Sequence, residues 1–583
     1  MKRFLMASVS AAALFATPAL AAGNNNSTVN QNGTDLGAVV AQSGSNTGST
    51  VTQTGRGNDA DVSQSGANGT SSVTQSASNT TGDAARNNTV TVKQSGNSSD
   101  STVVQQPGEG VDNRNRVFVE QNGDSTSSVT QSGTANGAEV HQDGAGNSSI
   151  INQGGSLNSV GDAIDETASA GVTQVGDDNT STIDQNPASR AVASVLQNGD
   201  ENASAIRQEL VGGPGSATAS HASVSQTGLS NESTINQLSS ENPSLLDASV
   251  IQNGTDLVST IDQAGADNDA SVNQSGVNNN SDIDQKGERN SAIVAQAGSD
   301  NESVVEQGLT NTASSGNTAN VDQQAGSSNA YSSVRMNGDG NSAGVIQSAA
   351  NTENYTRVDG TNNDSSVTQR GANGVSTLFQ GYQSYVPRDD IAVGNNATVT
   401  QAATSQYADS YVWQAGSNNK ADVMQSGKAS ALNTGYNVVD VEQISDGNTA
   451  TVGQAADRSR ATIYQGYEQI VPGTYGYNYA PGTGNTGTIT QAVGGDDSKA
   501  DIIQGGSSNT ASTTQSGVSN VSQLNQLGTS HIADVTQSGA DNDSLLVQYG
   551  TGNTATVTQS SDGNASTVNQ NGTGNIATVT QGS

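Results

Sequence analysis

Residues 548–581 read QYGTGNTATVTQSSDGNASTVNQNGTGNIATVTQ, and glutamine falls in them at every eleventh position: Gln548, Gln559, Gln570 and Gln581. The same step runs back through Gln537, Gln526 and Gln515 to Gln504. Two residues before each glutamine stands an aliphatic or β-branched residue, here Ile502, Thr513, Leu524, Val535, Leu546, Val557, Val568 and Val579. Glycine often follows the glutamine by two positions and asparagine by five, as in Gln570, Gly572, Asn575, Ala577, Val579 and Gln581. Self-similarity at a fixed short period indicates a stacked repeat architecture.

The unit has an inner period of two. In a strand, Asn575, Ala577, Val579 and Gln581 share one face, while Ile576, Thr578 and Thr580 share the other. The Gln-x-Gly-x-x stretch supplies a corner. A strand of six steps at roughly 3.3 Å covers about 20 Å. The short return path reaches roughly 18 Å at most, so one unit cannot close on itself. Two units, out and back, make a coil of 22 residues, and such coils stack in register at roughly 4.7–4.8 Å. The fold expected is therefore all-β, a parallel in-register β-solenoid of 22-residue coils with loop insertions. Its inward apolar strip includes Val29, Val62, Val272, Val535, Val557, Val568 and Val579. Its inward amide rows include Gln31, Gln42, Gln53, Gln64, Gln263, Gln274, Gln515, Gln537, Gln559, Asn564, Gln570, Asn575 and Gln581. Each amide can donate to one neighbouring coil and accept from the other.

Bulk composition points elsewhere. With 31% hydrophobic residues, 3% aromatic residues and a formal net charge of −34, the profile is that of a disordered chain. Periodicity overrules it, because a disordered chain has no reason to keep a β-branched residue two positions before about 42 glutamines. Residues 1–21 stand apart. Lys2 and Arg3 precede an apolar run, and Ala19-Leu20-Ala21 offers small residues at both cleavage subsites, the pattern of a secretory signal peptide. Residues 22–583 form the repeat region, most regular over 504–583. Long gaps between glutamines predict loops near residues 155–170, 350–365 and 467–488. No apolar run is long enough to span a bilayer as a helix. Without Lys2 and Arg3 the charge falls to about −36, which excludes a nucleic-acid partner. Cysteine is absent, so neither disulfides nor thiolate metal sites contribute.

The joint spacing of Gln, Gly, Asn and β-branched residues resembles the curlin repeat, found in subunits of curli, the extracellular amyloid fibres of bacterial biofilms. The resemblance covers nearly the whole mature chain. It implies a secreted subunit of a fimbria-like fibre at the cell surface, acting in biofilm matrix formation and adhesion. It implies self-association end to end, with a fibre nucleator and an outer-membrane secretion channel as further partners. The inward amides named above would be its assembly ladder. The repeat starts at Val29 and Gln31 and completes a unit at Val579 and Gln581, so both ends are expected to offer open edges.

Sites for other chemistry are sparse. His141, His221 and His531 have no metal-ligand spacing and read as surface residues. No nucleophile elbow or phosphate loop occurs, so no catalytic, metal or cofactor residue is assigned and an enzyme is not expected. Acidic corners such as Asp177-Asp178 and Asp267-Asn268-Asp269 read as charge opposing premature aggregation rather than calcium sites. Aromatics gather between Phe379 and Tyr479, many in the inserted stretches, and offer either a contact patch or cover for an irregular middle. The alternatives to a main fibre subunit are a monomeric solenoid adhesin, an ice-binding protein, or an accessory or nucleating component. Outward Thr-x-Thr pairs such as Thr556/Thr558 and Thr578/Thr580 are not sustained, which weighs against ice binding.

Overall fold

The computed structural model describes residues 23–78, 88–107, 115–156, 159–160, 171–189, 191–210, 220–239, 245–308, 314–381, 392–428, 437–469, 477–480 and 482–582. The expected signal peptide over residues 1–21, most of the loop near 155–170, and Tyr382, Tyr385 and Tyr475 lie outside these residues. Among the described residues there are strands and no helix, and no helix is long and apolar enough to cross a membrane. The chain divides into two compact units, Met1–Asp267 and Asn268–Ser583. Each is a parallel β-solenoid, and together they make about 20 turns.

In the first unit Asn26–Gln42 pairs in parallel with Gly48–Gln64, setting Val29 beside Val51, Gln31 beside Gln53 and Gln42 beside Gln64. In the second, Leu546 lies between Leu524 and Val568 in the same way. The period-two pattern becomes burial. Along Ala408–Gln414, residues Ala408, Ser410, Val412 and Gln414 are buried, while Asp409, Tyr411 and Trp413 are half-buried on the outer side. Small Ala or Ser at the first inward position lets opposite arms approach, and the branched residue behind it fills the strip between them. Register survives insertions: Gln443 and Gln465 pair at a separation of 22 residues, yet Gln465 and Gln504 pair at 39.

The corners are built on two left-handed positions. Gly528 has φ +135, and a Cβ there would come within 2.0 Å of the Gly550 carbonyl on the next coil. Only glycine fits so close an approach. The residue just before the corner asparagine is also left-handed, whatever its type: Asp178 (φ 56), Arg289 (φ 56), Asn418 (φ 57) and Asp541 (φ 54). Acidic corner residues hold backbone rather than standing free. The Asp177 carboxylate accepts the Ala145 N–H at 2.8 Å, and Asp200 accepts that of Asp177 at 2.9 Å.

The described residues of two expected loops are structured. The stretch near 350–365 contains the strand Glu353–Thr361, paired with Tyr331–Asp339 on one side and Val375–Gln380 on the other. A missing glutamine made it look like an insertion: Val358 occupies the glutamine place, and in the neighbouring strand Met336 does the same. Within 467–488, Tyr467–Gln469 pairs antiparallel with Tyr477–Tyr479, and Thr486 already begins the strand Thr486–Gln491. Because Glu353–Thr361 is hydrogen-bonded on both edges, its amides should exchange as slowly as those of Asp364–Gln369. Hydrogen exchange read by mass spectrometry checks this, and free exchange over 353–361 would return the segment to a loop.

Candidate functional site

The inward glutamines make a directional ladder. Gln515 Nε2 donates to Gln537 Oε1 on the next coil at 2.9 Å, to the Lys499 carbonyl on the opposite arm at 2.9 Å, and to the Asn520 carbonyl at its own corner at 3.1 Å. One primary amide therefore ties three strands. The pattern recurs in the first unit, where Gln53 donates to Gln75 at 2.8 Å, to Gly37 and to Asn58. In every such pair the donor lies nearer the N-terminus and the acceptor nearer the C-terminus, as for Gln31 to Gln53, Gln42 to Gln64 and Gln559 to Gln581, each at 2.8 Å. Buried amides satisfied in this way avoid a penalty of about 1–3 kcal/mol per unmatched group.

Among the anticipated residues, Gln53, Gln64, Gln263, Gln274, Gln515, Gln537 and Gln559 are buried, as are Val62, Val272, Val535 and Val557. Gln570 and Val568 remain 6% exposed. Val29, Gln42, Asn564, Val579 and Gln581 are half-buried, and Gln31 and Asn575 are exposed, because each lies in an outermost coil. Among the described residues of the second unit the ladder has one gap. Gln307 meets Met336 in register, Met336 meets Val358, and Val358 meets Gln380. As a result Gln380 Oε1 is buried without a hydrogen-bond partner among the described residues. Thr356 and Asn354 bond to each other at 3.1 Å in the inward places usually held by valine and alanine or serine.

Asparagine works differently from glutamine. Asn520 Oδ1 accepts the backbone N–H of Asn542 at 3.0 Å, and Asn542 Oδ1 accepts that of Asn564 at 2.9 Å. Where its Nδ2 is matched, it donates to corner carbonyls, as Asn509 does to Gly505 at 3.0 Å and Gly528 at 3.1 Å, or to the preceding asparagine, as Asn564 does to Asn542 Oδ1 at 3.0 Å. His531 stands in this column and is fully buried, which corrects its reading as a surface residue. Its Nδ1 accepts the Asn553 N–H at 3.3 Å while Nε2 faces the Leu527 carbonyl at 3.2 Å. The ring thus replaces an amide as a neutral imidazole protonated on Nε2, and burial holds its pKa below the usual histidine value. The other two face carboxylates outside: His141 meets Glu139 at 2.7 Å and His221 meets Asp247 at 3.1 Å.

The outer face of the second unit is aromatic and charged. Tyr331 and Tyr355 lie with ring centroids 5.4 Å apart, and Phe379 meets Tyr411 edge-on at 6.0 Å. These rings sit on strands, not on inserted loops. Farther along, Tyr464 donates to Asp440 at 2.6 Å and Tyr467 to Glu442 at 2.5 Å. The hairpin that starts at Tyr467 lies against the sheet, since a Cβ on Gly505 would meet the Tyr467 carbonyl at 2.7 Å and Ala480 at 2.9 Å. Burial raises the Glu442 carboxyl to about 7, opposed by the Tyr467 hydrogen bond and reinforced by Asp440. Burial likewise raises Asp440, against the Tyr464 hydrogen bond and Arg460. Among the described residues no group of three or more His, Cys, Asp or Glu is placed to hold a metal ion.

Four stretches, residues 246–276, 277–308, 528–560 and 550–582, match the family model of the curlin associated repeat. A search of curated proteins finds no match.

Two substitution series follow from this geometry. His531→Asn should fold as the native chain does, whereas His531→Ala leaves the Asn553 N–H unmatched and should lose about 1–3 kcal/mol in chemical denaturation. Since the folded-state pKa of His531 lies below 6.5, its contribution is full above pH 6.5 and declines as pH falls below it. His531→Asn should remove that part of the acid sensitivity. Glu442 has the opposite sign: its folded value lies above 4.5, so its contribution is full below pH 4.5 and lost as pH rises through about 7. The thermal midpoint of Glu442→Gln should therefore fall less than that of the native chain between pH 5 and 8. Parallel pH profiles for the two would remove Glu442 as the cause.

Proposed function

This chain is a curlin-repeat protein, and from that we propose that it is a structural subunit of an extracellular amyloid-like fibre of the curli type. Each turn is then a 22-residue coil of two eleven-residue units, with insertions leaving the corners. The chain is secreted, grows end to end with further copies of itself, and serves biofilm matrix and adhesion at the cell surface. A nucleator and an outer-membrane channel complete the set of partners the family implies.

The polarity of the glutamine ladder is the observation that carries this reading. Gln570 Nε2 donates to the Thr554 carbonyl and Gln581 Nε2 to the Ala565 carbonyl, at 3.0 Å each, at the position from which inner glutamines also donate to a following coil. Gln31 and Gln42 donate onward to Gln53 and Gln64, and their own Oε1 atoms occupy the place where inner glutamines accept. A donor row at one edge and an acceptor row at the other are complementary. Such a heterologous contact does not close on itself and yields an open filament. The strand edges carry the same complementarity in backbone groups.

Growth should therefore be polar and should depend on the amides at the edge. In seeded assembly of the mature chain followed by amyloid-dye fluorescence, Gln570→Leu with Gln581→Leu should slow elongation several-fold, and Thr578→Ser on the outer face should leave it unchanged. Salt should speed both, because it screens the mature chain's formal net charge of about −36. Equal elongation by the two variants would remove the ladder from assembly. A chain that stays monomeric for days at micromolar concentration and raised salt would be a monomeric adhesin instead.

A further inference from the structure

We propose that a groove on the outer face of the second unit binds a segment of an uncharged, extended β-linked polysaccharide. The groove runs across Tyr331–Asp339, Glu353–Thr361 and Val375–Gln380 and has a volume of about 520 Å3. That lies within the roughly 300–1,000 Å3 usual for specific ligand clefts. Its walls are the rings of Tyr331, Tyr355 and Phe379 together with Arg335 and Arg357.

The repeat itself marks this place as specialised. Elsewhere along the coils the inward glutamine recurs, but these same strands carry Met336 and Val358 at its position and leave Gln380 Oε1 unmatched. Inner and outer faces thus depart from the repeat together. A departure that costs the ladder a link while it adds an aromatic groove is better explained by a ligand than by packing.

The chemistry selects the ligand class. Tyr355 is 40% exposed, and Tyr331 stands one coil away with its ring centroid 5.4 Å distant. Successive rings at this spacing match the advance of sugar units along an extended glycan, whose flat C–H faces stack on aromatic rings. Arg357 pairs with Asp359 at 2.8 Å and Arg335 pairs with Glu306. Each pair offers donors and acceptors side by side, suited to neighbouring hydroxyls. Because both guanidiniums are already matched by carboxylates, the groove has no surplus positive charge for a phosphate or uronate. A formal net charge of −34 repels polyanions and, for the same reason, disfavours a second copy lying sideways in the groove.

The test uses the full mature chain in native gels containing hydroxyethylcellulose, with dextran and alginate as α-linked and anionic comparisons, and it is independent of fibre growth. The chain should be retarded by hydroxyethylcellulose alone. Tyr331→Ala, Tyr355→Ala and Phe379→Ala combined should weaken retardation at least tenfold, Tyr355→Phe should preserve it, and Tyr549→Ala, an aromatic elsewhere, should not change it. If the combined variant folds poorly, Tyr355→Ala alone makes the comparison, with a loss of at least threefold expected. No retardation by hydroxyethylcellulose, retardation by alginate or dextran instead, or retardation that survives loss of the rings would overturn the proposal.

Discussion

Parallel in-register stacking puts like positions on top of one another, and every other feature of the molecule answers to that constraint. A position tolerates repetition only if its side chain complements itself one strand spacing away. Valine does, through dispersion with its copy. A primary amide does better, since it carries donors and an acceptor on one plane and can bond to itself without end. Charge does not: like charges about 4 Å apart repel by about 1 kcal/mol in water and by about 4 kcal/mol at the lower effective dielectric near protein. This is why the interior is valine, small residues and amides, and why the abundant carboxylates stay at corners and on outer faces. There they bind backbone, as Asp177 does, or cations, as Asp497 does with Arg458 at 2.8 Å.

Much of this was legible in the chain. The period of two inside a period of eleven assigns an inward and an outward side, and the inward side is what the structure buries along Ala408–Gln414. What escaped had a physical cause in each instance. Counting glutamines located the arms, so an arm without one was invisible, and Glu353–Thr361 passed for a loop because Val358 and Met336 are apolar substitutes. The left-handed corner position was hidden because Asp, Asn, Ser, Arg and Gly all occupy it. Its signal was its place, one residue before the asparagine, rather than its type. His531 was hidden for the converse reason: imidazole imitates the amide through Nδ1 and Nε2, a likeness of hydrogen-bond geometry that residue class does not convey.

The division of labour between the two amides was also out of reach of pattern alone. Both recur with the same period and both face inward, which suggested equivalent ladders. Side-chain length separates them. Glutamine reaches across the coil and joins the opposite arm, its own corner and the next coil. Asparagine, one methylene shorter, stays at the corner, where Oδ1 takes the N–H of the next asparagine and at several coils its Nδ2 as well. Glutamine therefore holds arms together, and asparagine holds the bend that lets an arm turn back.

A ladder with a direction has consequences that a symmetric stack of apolar residues would lack. Apolar rows look alike from both ends and would allow two like ends to meet. A row in which every Nε2 points the same way presents donors at one edge and acceptors at the other, so like edges mismatch and unlike edges match. The same rule governs the interior gap. Where Val358 interrupts the row, the loss is felt on one side only, as an acceptor without a donor at Gln380. The neighbouring Gln307 keeps the Ser291 and Asn317 carbonyls, both at 3.1 Å. A broken link therefore costs less on its donor side than on its acceptor side, because the two N–H bonds of the donor amide still meet the backbone carbonyls they meet in other coils, while no N–H takes the place of the missing donor. That asymmetry makes the interior tolerant of an occasional apolar arm, and it leaves room for the outer face of such an arm to take on a different task.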